Sequence, residues 1–525
     1  MKQFLSLILC LAMVAGTLCG CTNAIDNSGY IPTGNAILME GQDPEDLMPE
    51  EEDTQELTLA YYPDRKLNPL FGSDYINRIL MSLMYQPLFA IDNNKNVTPI
   101  LCGAFQVSAN SRNWTFYVDE SATFSDGSRV TPEDVLATYQ KAKENDYYKN
   151  RFYHLWELAL TEDGKGVIFK MDTPFENLPL LMDVPIVKAS EVEAAIPTGS
   201  GPYFFAETGS GAVLQRVTTW WCGKTKIAAT DTTIDLIPVT SSADVRDEFQ
   251  FGDVSVVCAN PMSDSFAEYR CDYELWEIES GYMMYIGCNI LYSKHFEDGT
   301  LRTFLTYGID RESMAETYKG MVDPITLPMS PTSPYYNKSL ASQFSYDSLK
   351  FINRLSGYNI PTKDTGAKKD LVILVNANDS ARVRIARDLA KNLTAMGLPA
   401  ATLESSNFRD VYYAQTWDIY LGMTRMSANF DLTEFFRPYG EMGKGGLSHE
   451  TLYNMTKNAL ENSGNYYNLH QKLAEDGRII PVMFGYYTVY AQRGLMPDLA
   501  PARDNVFYYS LGKTMAGIQI DTVYD

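Results

Sequence analysis

The run Leu371-Val372-Ile373-Leu374-Val375 limits the choice of fold more than any other stretch of the chain. Five consecutive apolar residues, three of them β-branched, suit a strand covered on both faces. A helical pattern follows, with Ser380 as its cap and Ile385, Leu389, Leu393 and Met396 recurring on one face up to Gly397. Asp418-Ile419-Tyr420-Leu421 then reads as a second strand. Strand, helix and strand at this spacing predict a βαβ unit with parallel pairing, which is an α/β arrangement.

Earlier in the chain, Trp114, Phe116 and Val118 alternate with Thr115 and Tyr117, the period of a strand. Ser125-Asp126-Gly127-Ser128 reads as a turn. Thr131-Pro132-Glu133-Asp134 predicts a helix start: a threonine cap, proline at the first helical position and acids in the first turn. Leu301, Phe304 and Leu305 form one helical face, and Asp310 can cap the next helix.

The first residues have a different character. Lys2 precedes an apolar run from Phe4 to Gly16, too short for an ordinary membrane-spanning helix. The run ends in Leu18-Cys19-Gly20-Cys21, which resembles a bacterial lipobox with Cys21 as the lipidated residue. Residues 1–20 are therefore expected to be a lipoprotein signal peptide. Residues 21–56 carry Glu40-Gly41-Gln42-Asp43-Pro44-Glu45-Asp46 and Glu50-Glu51-Glu52-Asp53, with little to bury. Such a segment is expected to stay a disordered, self-repelling tether. The folded body should begin near Leu57.

The formal net charge of −23 argues against nucleic acid and against electrostatic attachment to anionic lipid. Beyond Cys21, Cys102, Cys222, Cys258, Cys271 and Cys288 form no CxxC pair, so neither a disulfide framework nor a zinc ribbon is indicated. There is no GxSxG elbow, HExxH motif or Walker A loop. The four histidines, His154, His295, His449 and His470, show no metal-ligand spacing. No cofactor is expected. A binding protein, a secreted hydrolase with a convergent site, and an adhesin or signalling receptor all remain compatible with these features.

The order of several short signals adds more. Asn113-Trp-Thr-Phe, Ala122-Thr-Phe-Ser-Asp-Gly-Ser and Val130-Thr-Pro-Glu-Asp-Val are followed by Pro197-Thr-Gly-Ser-Gly-Pro-Tyr203 and Phe251-Gly-Asp-Val. Leu301-Arg302, Gly308-Ile309-Asp310-Arg311, Tyr346-Asp347 and Ile480-Pro481 complete the series. In this order the chain resembles the peptide/nickel-binding family, family 5, of ABC-transporter solute-binding lipoproteins.

The resemblance implies a bilobal periplasmic-binding-protein-like α/β fold with an extra N-terminal α+β subdomain. Residues 57–87, 197–282 and 491–525 would form lobe I, residues 88–196 the subdomain, and residues 283–490 lobe II. Trp114, Phe124, Asp126 and Gly127 would be scaffold. The implied function is capture of a peptide or peptide-like solute by hinge closure. The implied partners are ABC permease subunits and, through the lipid, the outer face of the cytoplasmic membrane. A monomer without enzymatic activity is expected.

The resemblance also directs attention to Arg425-Met426-Ser427-Ala428-Asn429-Phe430-Asp431-Leu432. Peptide binders of the family carry an aspartate here that holds the ligand's α-amino group. Aligned on Asp431, that position is Ala428 and the family's tryptophan position is Arg425. A buried ammonium needs a carboxylate. Asp431 either takes over that role or caps a helix beginning near Thr433. Arg425, Asn429, Asp431, Tyr282 and Tyr285 are the candidate ligand-binding residues, with core or hinge packing equally open for the two tyrosines.

Overall fold

The computed structural model describes residues 57–71, 74–222, 233–440, 442–495 and 499–507, and the backbone of Val523 and Tyr524. The expected signal peptide, Cys21 and the acidic tether lie outside the described residues.

The chain enters strand β1 (Thr58–Tyr61) and then helix α1 (Tyr75–Met84), where the Asp74 side chain accepts from the Asn77 N–H. A short hairpin, β2 (Phe89–Ile91) and β3 (Val97–Pro99), follows. Next come β4 (Cys102–Val107), β5 (Asn113–Val118), α2 (Pro132–Ala142), β6 (Leu155–Leu160) and β7 (Gly166–Met171). As the sequence predicts, Trp114 and Phe116 are buried on one face of β5. Thr131 and Asp134 close a reciprocal capping box at the start of α2. Strands β4 to β7 form a separate antiparallel sheet, to which β18 (Val523–Tyr524) adds in parallel beside β4.

The other strands belong to one mixed eleven-stranded sheet. They are β1, β8 (Tyr203–Thr208), β9 (Gly211–Arg216), β10 (Thr233–Pro238), β11 (Val256–Ala259), β12 (Glu274–Cys288), β13 (Val322–Pro324), β14 (Leu371–Asn376), β15 (Ala400–Ser405), β16 (Ile419–Arg425) and β17 (Ile479–Ala491). Their order is β15-β14-β16-β12-β17-β11-β1-β10-β9-β8, with β13 beside β17.

The βαβ unit is β14, helix α3 (Ser380–Ala395) and β15, a strand the sequence reading passed over; the expected second strand at Asp418–Leu421 is β16, which pairs in parallel with β14 on its other side. The cap of α3 is Asp379, not Ser380: the Asp379 carboxylate accepts from the Arg382 N–H at 2.8 Å. Alternate residues of β14 enter different cores, Leu371, Ile373 and Val375 on one face and Leu374 on the other. That explains the unbroken apolar run, since both faces are covered.

Strands β12 and β17 run side by side for most of their length and join the two halves of the sheet. Their register breaks between Glu279 and Met283. Gly281 sits in the break at φ 79°, a conformation that only glycine adopts cheaply. A Cβ there would lie 2.4 Å from the Arg503 guanidinium. Gly281→Ala should therefore cost at least about 2 kcal/mol, from left-handed strain and a displaced buried cation. Urea unfolding should show a lower midpoint at unchanged slope, and an unchanged midpoint would contradict this account.

Candidate functional site

At the β12/β17 break, segments distant in sequence bring charged side chains together. Arg425 ends β16. Its guanidinium donates to the Tyr147 hydroxyl at 2.5 Å, to Asp504 at 3.1 Å and to the Ser280 carbonyl at 3.2 Å. It also lies 3.8 Å over the Tyr147 ring. Arg151 holds Asp183 and the second Asp504 oxygen, the latter at 2.5 Å. Arg503 donates to the Met426 carbonyl at 2.6 Å, and Arg78 lies 3.5 Å over Tyr147. Four arginines thus surround two aspartates; Arg151 is buried and the others are partly buried.

Burial disfavours the Asp504 carboxylate, but Arg425, Arg151, Arg503 and Arg78 outweigh it and hold its pKa well below the usual range. Arg503 moves the opposite way, lowered by burial and by the like charge of Arg425. A cavity of about 40 Å³ is lined by Arg78, Arg151, Asp183, Arg503, Asp504 and Ala428, among others. Lys95 and Glu279, paired at 2.8 Å, also border it.

Ala428 and Lys95 are shared with a second cavity of about 440 Å³. Its apolar wall is built from Phe175, Leu180, Tyr335, Phe430, Leu460 and Tyr466. Such a volume falls within the range of about 300 to 1,000 Å³ usual for small-ligand sites.

A third cluster ties the N-terminal sheet to the segment after β16. His154 Nδ1 meets Asp172 at 2.6 Å, and its Nε2 meets Thr433 Oγ1 at 2.9 Å and Asp431 at 3.3 Å. Burial opposes an imidazolium, yet Asp431 and Asp172 together raise the His154 pKa to about 9. Asp172, His154 and Thr433 formally resemble an orienter, base and nucleophile. A histidine protonated at neutral pH cannot take a proton, however, and Thr433 is only 1% exposed. Among the described residues no three His, Cys, Asp or Glu side chains converge as metal ligands.

The sequence candidates are distributed over these clusters. Arg425 belongs to the arginine–aspartate cluster. Asp431 accepts from the Thr433 N–H at 2.8 Å at the start of helix α4 (Thr433–Phe436) and also pairs with His154, so both its oxygens have partners within the chain. Asn429 borders the larger cavity; its Oδ1 accepts from Ser427 at 2.6 Å and its carbonyl from Tyr466. Tyr282 is half-buried with its ring 6.2 Å from that of Tyr487. Tyr285 is buried; its hydroxyl meets that of Tyr420 at 3.1 Å and its ring packs edge-on against Phe435.

Sequence reasoning missed Arg503, Asp504, Arg151, Asp183 and His154. Arg503 and Asp504 sit in Leu499-Ala500-Pro501-Ala502-Arg503-Asp504-Asn505, which reads as a loop. Adjacent opposite charges in an otherwise apolar loop were the one available signal.

Among the described residues no helix is long and apolar enough to cross a membrane, and Cys102, Cys258, Cys271 and Cys288 are free thiols. The family model for bacterial extracellular solute-binding proteins, family 5 (middle region), matches residues 96–446. The oligopeptide-binding protein AppA of Bacillus subtilis is 25% identical over 467 residues, covering 80% of this chain and 83% of that protein. Among solved structures, a putative peptide-binding protein AppA from Clostridium difficile superposes with a TM-score of 0.68 at 17% identity, covering 87% of this chain and 99% of the other. Bacillus subtilis AppA in complex with a nonapeptide gives a TM-score of 0.60 at 19% identity, with 87% and 98% covered. These likenesses fix the fold as the bilobal α/β type. With two thirds of its length matched, the chain belongs to the bacterial extracellular solute-binding proteins of family 5.

Proposed function

We propose that this protein captures a peptide or peptide-like solute between its two lobes and delivers it to the permease subunits of an ABC importer. The observation that carries this reading is the pair of adjoining cavities at Ala428, walled by helix α1, residues 90–95 and 175–180, Glu279 at the β12 break, and the loops at 333–335, 428–430 and 503–505. The name of the Bacillus subtilis relative supports a peptide as the solute.

In this reading residues 88–196 form the subdomain, residues 57–87, 197–282 and 491–525 form lobe I, and residues 283–490 form lobe II. Asn429 meets the ligand directly, while Arg425, Asp431, Tyr282 and Tyr285 hold the walls in place. The protein binds without chemistry and works as a monomer. Closure follows the ligand's greater affinity for the closed state. Saturation with a tryptic peptide digest should shrink the radius of gyration in small-angle scattering, and mass spectrometry should recover the bound peptides unaltered. An unchanged scattering profile, or covalently altered peptide under turnover conditions, would refute the reading.

Cys21 carries the acyl chains that keep the protein at the outer face of the cytoplasmic membrane. Two or more chains give stable attachment. Cys21→Ser should move the protein from the membrane fraction to the soluble fraction, still folded by circular dichroism. Unchanged membrane fractionation would rule out this anchor.

A further inference from the structure

The loop between β11 and β12, residues 260–273, reaches away from its own half of the sheet. Three strands, β17, β12 and β16, separate β11 from β14. Yet the loop meets helix α3, which joins β14 to β15 in the other half. The Asp264 carboxylate accepts from the Ser380 Oγ–H at 2.7 Å and from the Ser380 N–H at 3.3 Å. Ser380 is the first residue of α3, so this carboxylate sits at the positive end of the helix dipole. Four positions further along the loop, Glu268 pairs with Lys319 at 2.6 Å. Lys319 closes the short turn Glu316–Tyr318 at φ 54°, a left-handed conformation uncommon outside glycine.

Both contacts join the same two parts of the fold, and all four residues border one cavity of about 530 Å³. Gln250 and Phe266 line it from the half that holds β11, Thr317 and Tyr318 from the half that holds α3. The halves are thus bridged across a gap by polar contacts. Asp264, Glu268 and Lys319 are exposed. Exposed pairs add little to the stability of a fold and are screened by salt. Their effect on a movement between the halves is different. Parting the halves breaks both contacts, so all of their free energy bears on the balance between open and closed states.

We propose that residues 260–273 form a clasp, with Asp264 on Ser380 and Glu268 on Lys319 holding the two halves of the sheet together around a captured solute. The clasp sets how firmly the closed state holds, whichever solute is inside. This rests on the reading that the protein closes on a peptide-like solute, and adds to it the residues that keep it closed.

The test follows compaction in small-angle scattering as a tryptic peptide digest is added. Glu268→Lys, which sets two cations against each other, should raise the digest concentration at half compaction about fivefold. Asp264→Ala should raise it about two- to threefold. Exchanging the pair, Glu268→Lys with Lys319→Glu, should return it to within about twofold of the unmodified protein. Raising NaCl to about 0.5 M should weaken compaction of the unmodified protein, but barely that of Asp264→Ala combined with Glu268→Ala. Urea midpoints without peptide should stay together, which marks the effect as one on closure rather than on folding. Mass spectrometry should recover the same set of peptides from every variant. Single variants that compact like the unmodified protein would overturn the clasp and leave capture standing. An exchanged pair no better than Glu268→Lys would overturn it too, since each side chain would then act on something other than its partner. So would a changed set of recovered peptides, which would place the two carboxylates in solute recognition. If the digest leaves even the unmodified protein unchanged, the underlying reading fails and the clasp with it.

Discussion

Asp504→Asn should destabilise the protein by about 3 to 5 kcal/mol, the cost of removing one partner from a buried ionic network. The change keeps the size of the side chain and deletes only its charge. Arg425 and Arg151 would each lose an ion-pair partner, and the four arginines of the cluster would face Asp183 alone. Urea unfolding at neutral pH reads the loss directly as a fall in midpoint. A loss below about 1 kcal/mol, within the range of ordinary surface pairs, would show that the cluster is solvated rather than buried.

Alkaline pH should weaken the contact at His154. Unfolded, this histidine titrates near 6.5; folded, its pKa is raised to about 9 against the opposing effect of burial, by Asp431 and Asp172. The stabilisation is complete below about pH 6.5 and disappears as the pH rises through 9. Its full size is about 3 kcal/mol. Asp431 reports the same contact from the other side. Burial opposes its ionisation, but His154 keeps its pKa low, so the contact also fails as the pH falls into the acid range. Burial also raises the pKa values of the neighbouring Glu434 and Tyr453. The slope of stability between pH 7 and pH 9.5 should therefore be much flatter in His154→Gln than in the unmodified protein. Equal slopes would remove His154 from the account.

What could be read from the sequence was local. β5, the capping box at Thr131 and Asp134, and the two-sided β14 each leave a periodic or positional mark within a dozen residues. β15 left none, since Ala400-Ala401-Thr402-Leu403-Glu404-Ser405 alternates weakly and holds one large apolar residue. Ser380 looked like the cap of α3, but Asp379 presents the stronger acceptor one position earlier. The Arg425 to Asp431 stretch could be singled out only through its family resemblance. Its partners could not be foreseen. Arg425 meets Asp504 across 79 positions, and Arg151 meets Asp504 across 353. Such pairs carry no spacing rule, because burial rather than periodicity selects them.

The order of the large sheet also governs when the protein can fold. β1 needs β10, with Thr58 opposite Asp235, and β11 needs β17, with Val256 opposite Ala491. A nascent chain therefore cannot complete the centre of the sheet until almost the whole polypeptide has left the ribosome. Pairings so far apart close slowly. For a member of an extracellular family this delay has a consequence: the strands that commit the polypeptide to its native form come together only after nearly all of it has been made.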